Sequence, residues 1–123
     1  MMGDFRNKTS FEKRKDEASR IKKKYPDRVP VVCERNLKTD IPYIDKTKYL
    51  VPKELTVSQF LSIIRKRIKV PSNVAIFLLV DNTIPSTCTD MSTLYDNYQN
   101  EDGFLYCVYT GETCFGNPVN LIN

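Results

Sequence analysis

The amino-acid sequence predicts an α+β fold in which helices pack on a four-stranded mixed sheet, with an added helical extension at the N-terminus. The 123 residues are enough for one domain with its own core. A hydrophobic share of 41% and a charged share of 28% are typical of soluble globular proteins. Segments with helical and strand periodicity follow one another in the order helix, strand, strand, helix, strand, helix, strand. This order is the main basis of the prediction.

The N-terminal extension is predicted to be an amphipathic helix. Thr9 and Glu12 have the spacing of a capping box, and Pro26 ends the helical pattern. The apolar residues that share one helical face, and are expected to pack on the rest of the chain, are Phe11, Ala18, Ile21 and Tyr25.

Two short strands follow this helix. The first is predicted over residues 29–34, where Pro30 suits a strand start or a backbone position without a hydrogen-bond partner. The second covers residues 48–52, and the polar segment 36–46 between them is expected to be a loop.

A second capping box, formed by Thr56 and Gln59, predicts a helix over residues 57–69. At about 100° per residue, Phe60 and Ile63 lie to one side of the main apolar stripe and predict an apolar ledge beside the core. The residues of the main stripe are Val57, Leu61, Ile64 and Ile68.

The last three elements complete the sheet. Residues 74–80 form a continuous apolar run, which predicts a central strand buried on both faces. A short helix at about 91–99 and a final strand at 104–110 follow. The residues of this helix that are expected to face inward are Met91, Leu94, Tyr95 and Tyr98. This succession matches the β-grasp of ubiquitin-like folds, in which the first and last strands lie side by side at the sheet centre.

The sequence carries few groups for catalysis or metal binding. It contains no histidine, which excludes His-based triads and His-containing metal sites, and its four cysteines show no CxxC spacing. We therefore expect no metal, no cofactor, no enzymatic activity and no disulfide framework. No apolar run reaches the roughly 18 to 20 residues of a membrane-spanning helix, and no signal peptide is recognisable, so a cytosolic protein is expected.

Positive charge is concentrated near the N-terminus. The net charge is +4, and basic residues outnumber acidic ones between Lys8 and Lys24. Such a segment can bind acidic peptides, anionic lipid, tubulin or nucleic acid, although a solvated helix face is the commonest explanation.

Several blocks follow one another in a specific order along the chain. They are Phe11-Glu12-Lys13-Arg14, Tyr25-Pro26-Asp27-Arg28-Val29-Pro30-Val31, Lys48-Tyr49-Leu50-Val51-Pro52, Ile64-Arg65-Lys66-Arg67-Ile68, Phe104-Leu105-Tyr106 and Phe115-Gly116. Together they closely resemble the autophagy-related ubiquitin-like modifiers of the GABARAP and microtubule-associated light-chain-three type.

The resemblance implies a modifier that is made as a precursor. Residues 1–26 would be the helical extension, 27–116 the ubiquitin-like domain and 117–123 a removable tail. A cysteine protease would cut after Gly116, a residue whose missing Cβ lets the backbone enter a narrow active site. Activating and conjugating enzymes would then pass the chain as a thioester, and Gly116 would be amide-linked to phosphatidylethanolamine. A cytoplasmic precursor would thus become a protein of autophagosomal membranes.

The resemblance also implies a docking site for short motifs of cargo receptors and adaptors, with an aromatic residue, two spacers and an aliphatic residue. The implied aromatic pocket consists of Glu17, Ile21, Pro30, Val32, Lys48, Leu50 and Phe104. The implied aliphatic pocket consists of Tyr49, Val51, Pro52, Leu55, Phe60, Ile63 and Ile64. The basic residues expected to meet acidic flanks of the motif are Arg28, Lys46, Lys48 and Arg67.

A second hypothesis is a binding module for trafficking or the cytoskeleton that acts without lipid. It would use the basic helix on tubulin or vesicle proteins. Nucleic acid is not among the partners that the resemblance implies.

Overall fold

The computed structural model describes residues 4–111. Gly116, Cys114 and the tail 117–123 lie outside the described residues. The described elements are α1 (Asp4–Lys8), α2 (Phe11–Lys24), β1 (Arg28–Arg35), β2 (Lys48–Pro52), α3 (Val57–Ile68), β3 (Ile76–Leu79), α4 (Met91–Tyr98) and β4 (Leu105–Gly111). All elements predicted from the sequence are present, and α1 is an additional one.

The four strands form one mixed sheet in the order β2-β1-β4-β3. The first and last strands run parallel at its centre, with Val31 opposite Leu105, while the two outer pairs are antiparallel. These observations confirm the predicted topology. The prediction that residues 74–80 form a central strand is wrong, because β3 lies at an edge and, among the described residues, pairs only with β4.

Pro30 occupies a central strand without leaving a gap in the ladder. It lies opposite Leu50 of β2, and the pairing of β1 with β4 begins only at Val31. Since proline has no N–H to donate, it fits a position at which one side of the strand is not yet paired.

The larger part of the core lies between the sheet and the helices α3 and α4. The buried residues of α3 are Val57, Phe60, Ile64 and Ile68. Phe60 is 0% exposed, and its ring meets that of Tyr49 edge-on with the centroids 5.5 Å apart. The prediction that Phe60 lies on a ledge beside the core is therefore wrong, whereas Ile63 is exposed. The Thr56–Gln59 capping box is confirmed.

The opposite face of the sheet is covered by α1 and α2 over a small apolar cluster. This cluster contains Ala18, Val32 and Phe104, with Phe5, Ile21 and Tyr106 partly buried against it. Phe11, at the start of α2, and Tyr25, directly after its end, are exposed. The prediction that these two residues pack on the rest of the chain is therefore wrong. Tyr98 of α4 is likewise exposed rather than inward.

A buried ion pair joins α2 to the turn between α4 and β4. Arg14 Nε donates to Asp102 Oδ2 at 2.9 Å, and the two side chains are 8% and 0% exposed. The same Asp102 oxygen accepts from the Tyr106 hydroxyl, and the other accepts from the Phe104 backbone N–H. Arg14 also donates to the carbonyl of Thr9. The helix begins after Ser10, whose hydroxyl accepts from Lys13 N, so the predicted capping box at Thr9 and Glu12 is wrong.

The end of β4 is fastened to the loop between β1 and β2. The backbone N–H of Gly111 donates to Thr39 Oγ1 at 2.9 Å. A Cβ at Gly111 would lie 2.8 Å from Ile41 Cγ1, so a larger residue would force the Ile41 side chain to shift. Within residues 4–111, no helix has the length and apolar character needed to cross a membrane.

Candidate functional site

The free edge of β2 offers backbone hydrogen-bonding groups to an incoming chain. Cys33 N donates to Thr47 O at 2.8 Å, and β1 pairs with β2 in an antiparallel ladder. Because hydrogen-bonded pairs alternate along such a ladder, the backbone groups of Lys48 and Leu50 point away from β1. In the part of the chain that the structure describes, no other strand pairs with this edge. The edge can therefore accept one more strand.

Successive side chains of β2 lie on opposite faces of the sheet. Tyr49 and Val51 are buried in the core on the α3 face. Lys48 and Leu50 therefore point to the α2 face, since side chains alternate along a strand. A strand added at this edge would likewise place residues on both faces, some beside α2 and others beside α3.

The residues of the implied aromatic pocket are brought together on the α2 face. Glu17 and Ile21 belong to α2, Pro30 and Val32 to β1, and Lys48 and Leu50 to β2. Phe104 immediately precedes β4. The deepest of them are closed to solvent: Val32 is 0% and Phe104 is 1% exposed. Glu17, Ile21 and Leu50 are half-buried, and Lys48 is exposed.

Phe5 of α1 covers this pocket, and the sequence analysis did not find it. Its ring meets the Phe104 ring edge-on with the centroids 5.3 Å apart. Lys48 Nζ lies 5.0 Å from the Phe5 ring centroid and 2.9 Å from Glu17 Oε2. The only signal in the sequence was an aromatic residue in a short polar segment, which by itself does not indicate a position.

The implied aliphatic pocket is mostly core. Four of its residues are buried: Tyr49, Val51, Phe60 and Ile64. Pro52 and Leu55 are half-buried, and Ile63 is 37% exposed. The accessible apolar surface between β2 and α3 is therefore formed by Pro52, Leu55 and Ile63, with the buried residues as its floor.

The basic rim is partly engaged in contacts within the protein. Arg28 Nη1 donates to the carbonyl of Leu50 at 3.2 Å, and Arg67 forms a two-pronged pair with Asp45 at 3.1 and 3.3 Å. Lys46 Nζ lies 5.4 Å from the Tyr49 ring. Burial raises the pKa of the Tyr49 hydroxyl, which donates to the Lys46 carbonyl at 2.6 Å.

The described structure also contains a cleft that the sequence did not predict. A cleft of about 350 Å³ lies between the end of α2 and α4, where Lys22 and Tyr95 contribute to its walls together with Arg28 of the basic rim. Residues 4–111 hold no group of three or more acidic or cysteine side chains that could bind a metal ion.

Comparison with known proteins identifies the family of the chain. Residues 13–116 match the model of the family described as "Autophagy protein Atg8 ubiquitin like". The chain belongs to the Atg8 family. It is therefore an autophagy-related ubiquitin-like protein, and the resemblance found in the sequence is confirmed.

Relatives cover the chain almost end to end. "Autophagy-related protein 8" of Mycosarcoma maydis is 57% identical over 116 residues, which are 94% of this chain and 98% of that protein. The protein of the same name from Schizosaccharomyces pombe is 54% identical, with 94% and 96% covered. The crystal structure of Trypanosoma brucei ATG8 superposes with a TM-score of 0.87 at 37% identity, covering 91% of this chain and 97% of that one. The Atg8 fold is thus shown by sequence and structure together.

Proposed function

We propose that this Atg8 protein is a membrane-conjugated adaptor of autophagy. A cysteine protease removes residues 117–123, and activating and conjugating enzymes then link Gly116 to phosphatidylethanolamine. The conjugated protein recruits cargo receptors and adaptors through aromatic-x-x-aliphatic motifs that bind at β2. The observation that carries the proposal is the free edge of β2 between two helices, in a chain of the Atg8 family.

The spacing of the motif fits the two faces of this edge. In an extended peptide, residues three apart lie on opposite sides of the strand. An aromatic residue on the α2 side therefore places the aliphatic residue on the α3 side, beside Leu55 and Ile63. The backbone groups of Lys48 and Leu50 supply the ladder between the two anchors.

Conjugation would account for membrane residence. Each buried methylene of a lipid chain contributes about 0.8 kcal/mol, whereas a basic residue near an anionic surface contributes about 1 kcal/mol in all. A two-chain lipid is therefore a far stronger anchor than the basic residues of α2.

Intact-mass analysis of the protein recovered from cells with induced autophagy tests the proposal. Wild-type protein should lose residues 117–123 and gain the mass of one phosphatidylethanolamine. A Gly116→Ala variant should gain no lipid, because the Cβ obstructs both cleavage and transfer. A wild-type mass that stays unchanged, while the processing enzymes are present, contradicts conjugation.

The exposed basic end of α2 favours a second candidate, a module that binds tubulin or vesicle proteins without lipid. Lys22, Lys23 and Lys24 form the last turn of α2 and are exposed. In this case Gly116→Ala leaves the localisation unchanged, while reversing these three charges abolishes it. The conjugated adaptor requires the opposite result for Gly116→Ala.

A further inference from the structure

We propose that Phe5 of α1 is a built-in occupant of the aromatic pocket, and that a docking motif binds by displacing it. The inference rests on the proposed docking function and adds a regulation of that site. Phe5 packs edge-on against Phe104, the residue that an incoming aromatic side chain would otherwise contact. Phe104 and Val32 are closed to solvent while Phe5 is in place.

Three further contacts hold α1 in this position, and one of them is the hydrogen bond that Arg14 Nη1 of α2 donates to the Arg6 carbonyl at 3.1 Å. The Phe5 backbone N–H donates to Glu34 Oε2 at 3.1 Å. The Arg6 guanidinium lies over the Tyr106 ring at 4.2 Å from its centroid. The contacts with Glu34 and Tyr106 are made to residues of the sheet, so α1 is docked as a unit on the rim of the pocket.

The docking of α1 is weak enough to be reversed. The helix has five residues, none of them buried, and isolated helices of this length are unstable in water. Arg6 Nε is buried without a hydrogen-bond partner among the described residues, which disfavours the closed position because burying a donor costs its hydration. These features distinguish a displaceable cover from a permanent wall.

Lys48 links the cover to the charge of the ligand. Its ammonium group contacts both the Phe5 ring and the Glu17 carboxylate. An acidic residue of the motif beside its aromatic residue would attract Lys48 away from both. Binding of the acidic residue by Lys48 then also releases Phe5, so motifs that carry this acidic residue bind more tightly.

The first test measures binding of a synthetic peptide with glutamate, tryptophan, two spacers and leucine to wild-type, Phe5→Ala and Phe11→Ala proteins by calorimetry. Phe11→Ala is the matched control, since Phe11 is an exposed aromatic residue at the start of α2 and does not belong to the cluster around Phe104. If the pocket is open in only a tenth to a third of the molecules, Phe5→Ala should bind about three- to tenfold more tightly. Phe11→Ala should bind like wild type, and equal or weaker binding by Phe5→Ala overturns the proposal.

A peptide-independent measurement separates this proposal from the docking function. Free indole is titrated into the same three proteins, and NMR shifts of the Ile21 and Leu50 methyl groups are followed. Indole should enter Phe5→Ala at lower concentration than wild type or Phe11→Ala. If none of the proteins binds the peptide, the docking function at β2 is contradicted. Easier entry of indole into Phe5→Ala would still support Phe5 as a cover of the pocket. Equal entry into all three proteins overturns it.

The role of Lys48 is tested by replacing the glutamate of the peptide with glutamine. The loss of affinity should be larger with wild type than with Phe5→Ala, since in the variant there is no cover to release. Equal losses overturn the link between acid recognition and opening. Urea unfolding of each variant checks that the fold is intact.

Discussion

The face of the sheet under α3 and α4 differs from the face under α1 and α2 in what holds the helices on it. The first is covered by a continuous apolar core that includes Phe60, Ile64 and Leu78. The second has a small apolar cluster, and α2 is held there both by Ala18 of that cluster and by the ion pair of Arg14 with Asp102. Apolar burial is non-directional, whereas an ion pair stabilises only in one geometry.

This difference bears on how the molecule can move. The α3 face has many interlocking contacts and is expected to open only with global unfolding. On the other face α1 makes few contacts, and it lies directly over the aromatic pocket. The candidate docking site thus lies between a rigid α3 face and an α2 face that can open locally.

The largest expected effect is on the apolar face. Phe60→Ala should lower the free energy of unfolding by about 3–5 kcal/mol, because it leaves a cavity in the core. Ile63→Ala, on the same helix but exposed, is the control and should change it by about 0.5 kcal/mol or less. Urea unfolding followed by circular dichroism measures both. Equal losses of unfolding free energy in the two variants would contradict the assignment of Phe60 to the core and of Ile63 to the surface.

The next effect tests the ion pair. Asp102→Ala should cost about 3 kcal/mol, because Arg14 then stays buried without its partner. Asp16→Ala, which breaks the exposed pair with Arg20, should cost less than about 1 kcal/mol. If the two losses in urea unfolding are similar, the buried pair does not hold α2 in place.

The smallest effect compares one tyrosine from each face at alkaline pH. Burial raises the pKa of Tyr109 to about 12, and burial followed by the hydrogen bond to Asp102 raises the pKa of Tyr106. The unfolded chain has tyrosine pKa values of about 10. Both residues therefore contribute stability that is complete below about pH 10 and is lost as the pH rises toward the folded pKa.

Urea midpoints between pH 9 and 11 measure this loss. The urea midpoint of the wild type should fall as the pH rises above about 10, and the midpoints of Tyr109→Phe and Tyr106→Phe should fall less steeply. Slopes identical to that of wild type in both variants would show that these phenols titrate alike in the folded and unfolded states.

The order of elements could be predicted from the sequence because each has a local signal. The Thr56–Gln59 capping box and the β-branched segments of β1 and β2 are such signals, and the structure agrees with them. Thr9 and Ser10 are both competent caps, and a local pattern does not choose between them. Tertiary contacts favour Ser10 as the cap, since the Thr9 carbonyl accepts a hydrogen bond from the Arg14 side chain.

Errors arose where burial depends on a distant neighbour. Phe60 belongs to the core because Tyr49 of β2 lies against it, and a helical wheel contains no information about β2. An apolar run such as that of β3 does not distinguish a central strand from an edge strand that is half-covered. Phe5 was missed because α1 is too short to show periodicity. The residues of the candidate site were named from the resemblance, and their roles in docking stay predictions.

The attachment of Gly111 to Thr39 sets how far the domain could stand from a bilayer. Five positions separate Gly111 from Gly116, and an extended chain covers at most about 3.5 Å per residue, so a lipid on Gly116 would lie within roughly 18 Å of the end of β4. Lys48 lies two strands away from β4, or about 10 Å, and level with Tyr106, which is about 17 Å back along the strand from Gly111, so Lys48 lies roughly 19 Å from the end of β4. A receptor bound there would be kept within roughly 4 nm of the lipid head groups.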